Sequence, residues 1–364
     1  MILKRFVADG FRNIDNCDIS FKPGVNLLYG NNAQGKTNVI EGIYLFARGK
    51  SFRAREDKDL LEFGREGYRL YIEYFDKLGE NSLEFSSFGR ERRRKKNGYP
   101  LKSVRELVGN IRCVLFYPDD LSLVKESPDL RRSFLNIAIG QLDNIYIEEY
   151  SRYKIALENK NCILKNASRG KFYDDNELIM WSYQMAEYAS KIYLKRIDYV
   201  KKLEVYAKEV LLDISENIEN LSFVYKSDIE DNELSFDIIC ERYKKIFTEN
   251  IEKEKIVGTS LYGPHRDDLE ILINGISARA FASQGQQRSV VLAMKLAEGD
   301  VCRNVTGEYP IYLFDDVLSE LDESRKRYVL SRVKEKQIII TSCEKDGTAD
   351  INGKKIEVFS GEYK

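Results

Sequence analysis

A glycine-rich segment, residues 30–37, has the residue types and spacing that bind a nucleoside triphosphate. It consists of Gly30, Asn31, Asn32, Ala33, Gln34, Gly35, Lys36 and Thr37, and fits G-x-x-x-x-G-K-[ST] throughout. Its glycines let backbone N–H groups wrap a phosphate at a helix N-terminus. Lys36 can reach the β- and γ-phosphates, and the Thr37 hydroxyl can bind Mg²⁺. The segment therefore predicts a site for ATP with Mg²⁺.

Two consecutive carboxylates, Asp315 and Asp316, follow the apolar residues 311–314. A buried strand would bring Asp315 to the magnesium ion, directly or through water, and Asp316 could polarise the attacking water. Alone, the pair would equally suit a strand that ends in a solvated acidic turn. Together with the phosphate-binding segment, it favours catalysis, with Lys36 and Asp316 as the catalytic residues.

A third segment, residues 283–288 with the sequence SQGQQR, opens a predicted helix. Ser283, Gly285 and Gln286 at a helix N-terminus would form a cradle for an anion. The alternative is a well-capped surface helix. The order of phosphate-binding segment, cradle, acidic strand and residues 319–322 is that of the ABC superfamily of ATPases. In that superfamily the cradle of one subunit closes on the γ-phosphate held by the other.

The elements around these segments predict an α/β domain built from both ends of the chain. Strands are predicted at 26–29, 311–314 and 338–341, and helices at 38–46, 284–298 and 322–333. Asn97-Gly98 and Asn274-Gly275 are hairpin turn signals. Between about 119 and 256 the chain has few Gly or Pro, a helical composition. We therefore predict an ABC/SMC-like ATPase head (1–122 and 258–364) with an inserted all-helical arm (123–257).

An apolar stripe at helical spacing runs through the middle of the predicted arm. Lys195 occupies one skipped position of the stripe. We favour a helix pair within the chain over an intermolecular coiled coil. The residues of the stripe are Trp181, Met185, Tyr188, Ile192, Tyr199, Leu203, Tyr206 and Val210.

Composition excludes several classes of protein. The 364 residues are 43% hydrophobic and 32% charged, with a net charge of −1, which suits a chain that buries a core. The six cysteines are isolated, which argues against a zinc site or a disulfide framework. One histidine, His265, makes a histidine metal site or a Ser-His-Asp hydrolase improbable. Without an apolar span or signal peptide, we expect a cytoplasmic protein with no membrane partner.

A run of basic residues precedes the Asn97-Gly98 turn, six of the seven residues from 90 to 96. At a hairpin tip this run could neutralise DNA phosphates, although a solvated hairpin is an equal alternative. No base-reading motif is present, so we expect recognition of DNA backbone or structure. A second basic cluster, Arg48, Lys50, Arg53 and Arg55, could serve DNA or nucleotide. The candidate DNA-binding residues of the run are Arg92, Arg93, Arg94, Lys95 and Lys96.

Seven blocks, spread across nearly the whole chain, resemble the RecF family of bacterial recombination mediators, which is related to SMC-type heads. The blocks are residues 30–38 (GNNAQGKTN), 49–53 (GKSFR), 117–125 (YPDDLSLVK), 128–135 (PDLRRSFL), 263–269 (GPHRDDL), 283–288 (SQGQQR) and 314–322 (FDDVLSELD).

The resemblance implies an ATP-dependent homodimer that binds double-stranded, gapped or junction DNA while ATP is bound. Such proteins hydrolyse ATP slowly and, with RecR and RecO, load RecA and support the SOS response. By position, Lys36 and Thr37 would serve phosphate and Mg²⁺, and Asp315 would serve Mg²⁺. Asp316 would replace the usual catalytic Glu, and Ser283 would contact the partner's γ-phosphate.

Two departures from the ABC pattern imply poor water activation. Residues 116–119 lack the usual Gln, and Thr341 and Ser342 lie where the switch His is expected. The chain is therefore predicted to be a weak, DNA-stimulated ATPase that acts mainly as a nucleotide switch.

Other functions are weaker interpretations. An SMC-like structural tether needs a longer arm than about 130 residues folded back on themselves can provide at ~1.5 Å rise per residue. A transporter ATPase does not suit the basic run, and a nuclease would need a further carboxylate cluster. For His265, a hydrogen-bonded turn residue is favoured over a DNA or interface contact.

Overall fold

The computed structural model describes residues 1–89, 91–229, 235–332, 336–343, 353–359 and 361–364; Arg90 of the basic run and the side chain of Glu320 lie outside them. The strands, numbered in chain order, are β1 (Ile2–Phe11), β2 (Ile14–Ser20), β3 (Val25–Tyr29), β4 (Gly67–Asp76), β5 (Gly79–Phe88), β6 (Glu91–Lys96), β7 (Tyr99–Pro100), β8 (Cys113–Phe116), β9 (Leu221–Lys226), β10 (Asp268–Ile273), β11 (Ile276–Ser277), β12 (Ile311–Asp315), β13 (Ile338–Ser342), β14 (Lys354–Phe359) and β15 (Glu362–Tyr363). The helices are α1 (Lys36–Arg48), α2 (Val104–Leu107), α3 (Ser122–Lys125), α4 (Pro128–Leu142), α5 (Asn144–Ser168), α6 (Asp175–Ile214), α7 (Phe236–Glu249), α8 (Ile251–Val257), α9 (Ala278–Phe281), α10 (Gln284–Thr306) and α11 (Glu323–Arg332).

The chain forms two compact units. The head contains residues 1–122, 209–218 and 283–364, and the arm contains residues 123–208 and 219–282. Both ends of the chain thus contribute to the head, as predicted. The arm differs from its prediction in two ways: it continues to 282 instead of 257, and it is not all-helical. The reason is that β10 pairs along its whole length with β9, so residues after 257 complete a sheet of the arm.

A mainly parallel sheet, in the order β15-β14-β3-β13-β12-β8, forms the centre of the head. Neighbours among its strands are parallel except β15, which is antiparallel to β14. Strands β8, β12 and β13 are almost continuously apolar and buried, as expected for strands covered on both faces. Because parallel strands end at one edge, the residues that follow β3, β12 and β13 meet there.

The second sheet of the head is antiparallel, in the order β2-β1-β4-β5-β6-β7. Its side chains alternate between a buried and a solvated face, as along β4 and β5. The predicted turn at Asn97 and Gly98 joins β6 to β7, and both residues have positive φ. Residues 91–96 of the basic run therefore form strand β6, with side chains on both faces, and not the tip of the hairpin.

The arm pairs α6 with α5. Lys195 and Arg196 of α6 contact Glu149 and Tyr146 of α5, and Tyr188 contacts Arg152, so the two helices run antiparallel. This arrangement agrees with a helix pair within the chain. The interruption of the apolar stripe also has a cause, because Lys195 forms ion pairs of 2.6–2.7 Å with Glu149 and Asp143.

A fully buried arginine, Arg196, organises a polar cluster in the arm. It donates hydrogen bonds to the Tyr146 and Tyr225 hydroxyls, to Asn136 Oδ1 and to the Pro264 carbonyl, at 2.8–3.2 Å. Pro264 of block 263–269 thus lies in the interior of the arm. Nearby, His265 Nδ1 lies 2.6 Å from the Tyr153 hydroxyl, which supports the interpretation as a hydrogen-bonded turn residue.

Replacing His265 with glutamine is expected to change how the stability of the arm depends on pH. Burial lowers the pKa of His265 to about 4 and raises that of Asp267 to about 6. Between pH 4 and 6 the unfolded chain binds a proton at His265 that the folded arm lacks, so this group stabilises the fold as pH rises. Over the same range Asp267 binds a proton in the folded arm but not in the unfolded chain, so this group destabilises the fold as pH rises. The two contributions to the free energy of unfolding therefore cancel.

In His265→Gln only the Asp267 contribution remains. Relative to the unsubstituted protein, the free energy of unfolding of the variant arm should increase by about 1.4 kcal/mol for each pH unit as pH falls from 6 to 4. Urea unfolding followed by fluorescence of Trp181, the chain's one tryptophan, measures this, because Trp181 packs in the arm against Ile163, Leu164 and Leu178. Parallel pH profiles for the two proteins would contradict the prediction.

Candidate nucleotide site

The phosphate-binding segment connects β3 to α1, as predicted. Gly30 has φ 150° and Gly35, which precedes the first turn of α1, has φ 105°. A Cβ at Gly30 would lie 2.2 Å from the Val358 carbonyl oxygen, so no larger residue fits there. Lys36 Nζ donates to the carbonyl oxygens of Gly30 and Asn31 at 2.6 and 2.8 Å. The lysine is thus already folded over the loop that would hold phosphate.

The predicted magnesium residues meet although they are far apart in sequence. Thr37 Oγ1 donates to Asp315 Oδ1 at 2.8 Å. Burial raises the pKa of Asp315, while hydrogen bonds from Thr37 and Thr341 act in the opposite direction. A hydroxyl that donates its proton keeps lone pairs for a cation. The Thr37 hydroxyl and the Asp315 carboxylate are therefore suited to bind Mg²⁺, because this ion takes few protein ligands besides phosphate oxygens.

Thr341, at the end of β13, holds both acidic residues. Its hydroxyl donates to Asp315 Oδ1 at 2.8 Å and accepts the backbone N–H of Asp316 at 3.0 Å. Asp316 has φ 56°, a left-handed conformation that costs energy in a residue other than glycine. Its carbonyl accepts a 2.6 Å hydrogen bond from Ser319 Oγ. Asp316 is therefore fixed from both sides where its carboxylate borders the cleft.

Replacing Thr341 with valine is expected to weaken binding of Mg²⁺ with ATP about tenfold. Valine removes two hydrogen bonds, each worth about 0.5–1.5 kcal/mol, and frees Asp315 and the backbone of Asp316. Calorimetric titration with Mg²⁺ at saturating ATP measures the effect. Thr341→Ser keeps the hydroxyl and serves as the control. Equal Mg²⁺ affinities for the valine and serine variants would exclude this role.

A buried carboxylate, Glu41 of α1, holds two arginines beside the phosphate loop. Arg12 forms two hydrogen bonds to it at 2.7 and 2.9 Å, and Arg53 forms one at 2.6 Å. Arg53 also donates to Asn38 at 2.6 Å. Of the second basic cluster, Arg53 therefore faces the nucleotide site. Arg12 and Glu41 were not predicted, because neither belongs to a motif.

Arg12, Arg53 and Thr341 border a cleft of about 720 Å³, a size typical of cofactor sites. Lys36, Thr37 and Asp316 are among the residues that line it. Its full lining is Arg12, Asn13, Asn32, Ala33, Gly35, Lys36, Thr37, Asn38, Arg53, Asp59, Leu61, Phe63, Asp316, Thr341 and Cys343. Within the described part of the chain, no group of three or more His, Cys, Asp or Glu side chains could hold a metal ion.

The predicted cradle caps α10. Ser283 Oγ accepts the N–H of Gln286 at 3.2 Å, and Gln286 Oε1 accepts the N–H of Ser283 at 2.9 Å. Arg325 of α11 donates to Ser289 Oγ at 2.9 Å and to the Gly285 carbonyl at 3.4 Å. The cradle residues are not among those that line this chain's own cleft. A contact with a partner's nucleotide stays a prediction, beside the alternative of a capped surface helix.

The basic residues of β6 are divided between the two faces of the sheet. Arg92, Arg94 and Lys96 lie on one face and Arg93 and Lys95 on the other, and acidic, aromatic or amide groups contact them. Three of the five cations therefore have a carboxylate partner, which weakens the case for a phosphate-binding tip. The contacts are Arg92 with Asp57, Arg94 with the Phe85 ring, Lys96 with Asn110, Arg93 with Glu91, and Lys95 with Glu84.

Comparison with known proteins places this site in a family. Residues 2–362 match the family described as RecF/RecN/SMC N terminal domain. The chain is 37% identical over 342 residues to the DNA replication and repair protein RecF of Clostridium acetobutylicum, covering 94% of this chain and 92% of that protein. It is 37% identical over 349 residues to RecF of Staphylococcus carnosus, covering 95% and 94%.

Comparison with solved structures identifies the same family. A structure of the recombination mediator protein RecF with ATP, described as part of the RecFOR pathway, superposes with a TM-score of 0.92 at 34% identity, covering 100% of this chain and 97% of that one. An Smc head bound to the C-terminal winged-helix domain of ScpA has a TM-score of 0.58 at 15% identity, covering 100% and 96%, and shares the fold alone. The predicted ABC/SMC-like head is thus confirmed. None of the helices in the described ranges is long and apolar enough to span a membrane.

Proposed function

This chain belongs to the RecF family, and we propose that it is a cytoplasmic DNA-binding protein of recombinational repair and replication-fork maintenance, controlled by ATP and Mg²⁺. The observation that carries the proposal is the 2.8 Å hydrogen bond between Thr37 and Asp315, residues 278 apart in sequence. It joins the phosphate-binding segment to the acidic strand, beside a cleft that Lys36 and Thr37 line. Bound Mg²⁺ would be held by these two residues and would neutralise phosphate charge.

ATP acts in this proposal by closing a homodimer. Lys36 and residues 30–37 hold the triphosphate of one subunit, and Ser283, Gly285 and Gln286 of the other contact its γ-phosphate. The position of the cradle outside its own cleft supports a contact of this kind. The closed dimer clamps double-stranded, gapped or junction DNA. With RecR and RecO it promotes the loading of RecA and hence SOS induction.

Slow hydrolysis resets the clamp. Asp316 stands next to the magnesium carboxylate, where it can orient water, but it is one methylene shorter than the Glu usual in ABC ATPases. Residues 116–119 supply no Gln, and Thr341 and Ser342 supply no His. Weak, DNA-stimulated turnover is therefore the proposed activity.

The proposed DNA contact includes β6. Arg93 and Lys95 share the outer face of the sheet, and their acidic partners, Glu91 and Glu84, are at least one-fifth exposed. Ion pairs at exposed sites are weak, so phosphates can compete for both cations. Binding through such contacts should weaken as salt rises.

The test is binding to a gapped duplex at fixed, moderate salt, with and without ATP and Mg²⁺, with molar mass read in the same samples. ATP should double the mass and strengthen DNA binding. Ser283→Asp is the informative variant, because aspartate still caps α10 but repels a partner's γ-phosphate. It should bind ATP as a monomer and gain neither dimer nor DNA affinity. DNA binding that ignores ATP, with an unchanged mass, would exclude the clamp.

A further inference from the structure

A fully exposed phenylalanine, Phe63, lines the nucleotide cleft. Single exposed apolar residues are common on protein surfaces and need no explanation by themselves. Phe63 differs because it lines the same cleft as Lys36 and Thr37. It lies three residues after the buried Leu60 and directly before Gly64, whose φ is 86°. An aromatic face is thus presented beside a predicted phosphate site.

The turn that carries Phe63 is fixed to the head by several contacts. Phe11 and Leu61 form a β-bridge, and the Glu62 N–H donates to the Gly10 carbonyl at 2.9 Å. The guanidinium of Arg65 forms ion pairs with Asp9, Asp15 and Glu62. These contacts hold the backbone on both sides of Phe63, so the point of the chain from which its side chain projects is fixed at the cleft before any ligand binds.

The cleft has a charged part and an apolar part. Lys36, Thr37, Arg53 and Asp316 provide groups for a triphosphate and its cation. Leu61 and Phe63 provide carbon surface that phosphates cannot use. A nucleotide has one apolar part, its base, and base π-faces stack on aromatic side chains.

We propose that Phe63 is the platform on which the purine base of the bound nucleotide stacks. The proposal rests on the nucleotide site described above and adds the residue that distinguishes a nucleotide from a bare triphosphate. Stacking on a phenyl ring favours large bases, so ATP should bind more tightly than CTP.

Phe63→Ala should separate the two parts of the ligand. The measurement is the Kd for ATP with Mg²⁺ and for inorganic triphosphate with Mg²⁺, by calorimetry at protein concentrations that keep the chain monomeric. The variant should bind ATP about tenfold more weakly, the loss expected for one base–aromatic stack, and inorganic triphosphate as before. Phe63→Trp should restore ATP binding. Phe172→Ala, which removes an exposed phenylalanine of the arm, is the matched control and should change neither Kd.

Equal weakening for ATP and inorganic triphosphate would show that Phe63 shapes the loop and does not stack on a base. No change for either ligand would also overturn the proposal. Both results can be distinguished from an error in the proposed nucleotide site. If that site were wrong, Lys36→Ala would bind ATP as tightly as the unsubstituted protein.

Discussion

The Lys36→Ala variant is expected to bind ATP at least about a hundredfold more weakly than the unsubstituted protein. Hydrogen bonds to charged groups contribute about 1.5–3 kcal/mol each, and Lys36 is placed to reach two phosphates. Its Nζ donates hydrogen bonds to the carbonyl oxygens of Gly30 and Asn31. Phosphate oxygens can replace these carbonyls with little movement of the side chain. Alanine leaves only backbone N–H groups and the helix N-terminus to balance the triphosphate charge.

The measurement is the rise in unfolding temperature when ATP and Mg²⁺ are added. A ligand at about 100 times its Kd stabilises the folded state by about 2.7 kcal/mol, and the variant should gain almost none of this. Each protein is compared with its own nucleotide-free form, because the substitution also removes two hydrogen bonds inside the loop. Lys77→Ala, an exposed lysine that contacts the Thr306 carbonyl, is the control. A normal rise in Lys36→Ala would show that this residue does not contact phosphate.

Local patterns predicted the parts of this site that consecutive residues encode. Residues 30–37 need glycines at two positions for backbone reasons, and the strand before Asp315 needs apolar residues on both faces. Each of these requirements involves only a few consecutive residues, so it can be recognised in the sequence. The hairpin turn at Asn274-Gly275 is another case, since both residues have positive φ between β10 and β11.

Residues that act through distant neighbours were not predictable in this way. Arg12, Phe63 and Thr341 come from separate segments that only the fold brings to the cleft, and Glu41 holds Arg12 there. An acid within a helix, a solvent-exposed Phe and a Thr at the end of a strand are each unremarkable in sequence. Their roles depend on what lies opposite, which a single sequence does not state.

The basic run and the arm show two further limits of prediction from sequence patterns. Charge density suggested one binding tip, but strand alternation sends neighbouring side chains of β6 to opposite faces. In the arm, helical composition between 119 and 256 concealed β9, whose partner β10 follows more than 40 residues later. Composition averages over a window and does not register one strand that pairs at long range.

Breaking the buried ion pair between Lys160 and Glu254 is expected to destabilise the arm by about 3–5 kcal/mol. Both side chains are fully buried, with Nζ and Oε2 2.7 Å apart. Glu254 Oε1 also accepts hydrogen bonds from Ser260 Oγ and from the Leu261 N–H. Lys160→Met therefore leaves a buried carboxylate without its cation. Urea unfolding followed by Trp181 fluorescence measures the loss.

Lys202→Met is the matched control, because Lys202 pairs with Asp198 on the surface of α6 and exposed pairs contribute about 0–1 kcal/mol. An equal loss in both variants would contradict the role of burial. The double variant Lys160→Met, Glu254→Gln should recover most of the stability, since glutamine is neutral and still accepts the Leu261 N–H.

Glu254→Gln alone tests the same pair from the other side. Burial already lowers the pKa of Lys160, and the charge of Glu254 opposes that shift. Without the carboxylate the pKa of Lys160 should fall further, so the folded arm should bury a neutral amine. The unfolded chain then binds a proton that the folded arm lacks, and stability should rise with pH until the unfolded lysine also loses its proton. A flat profile would mean that another group compensates the charge of Lys160.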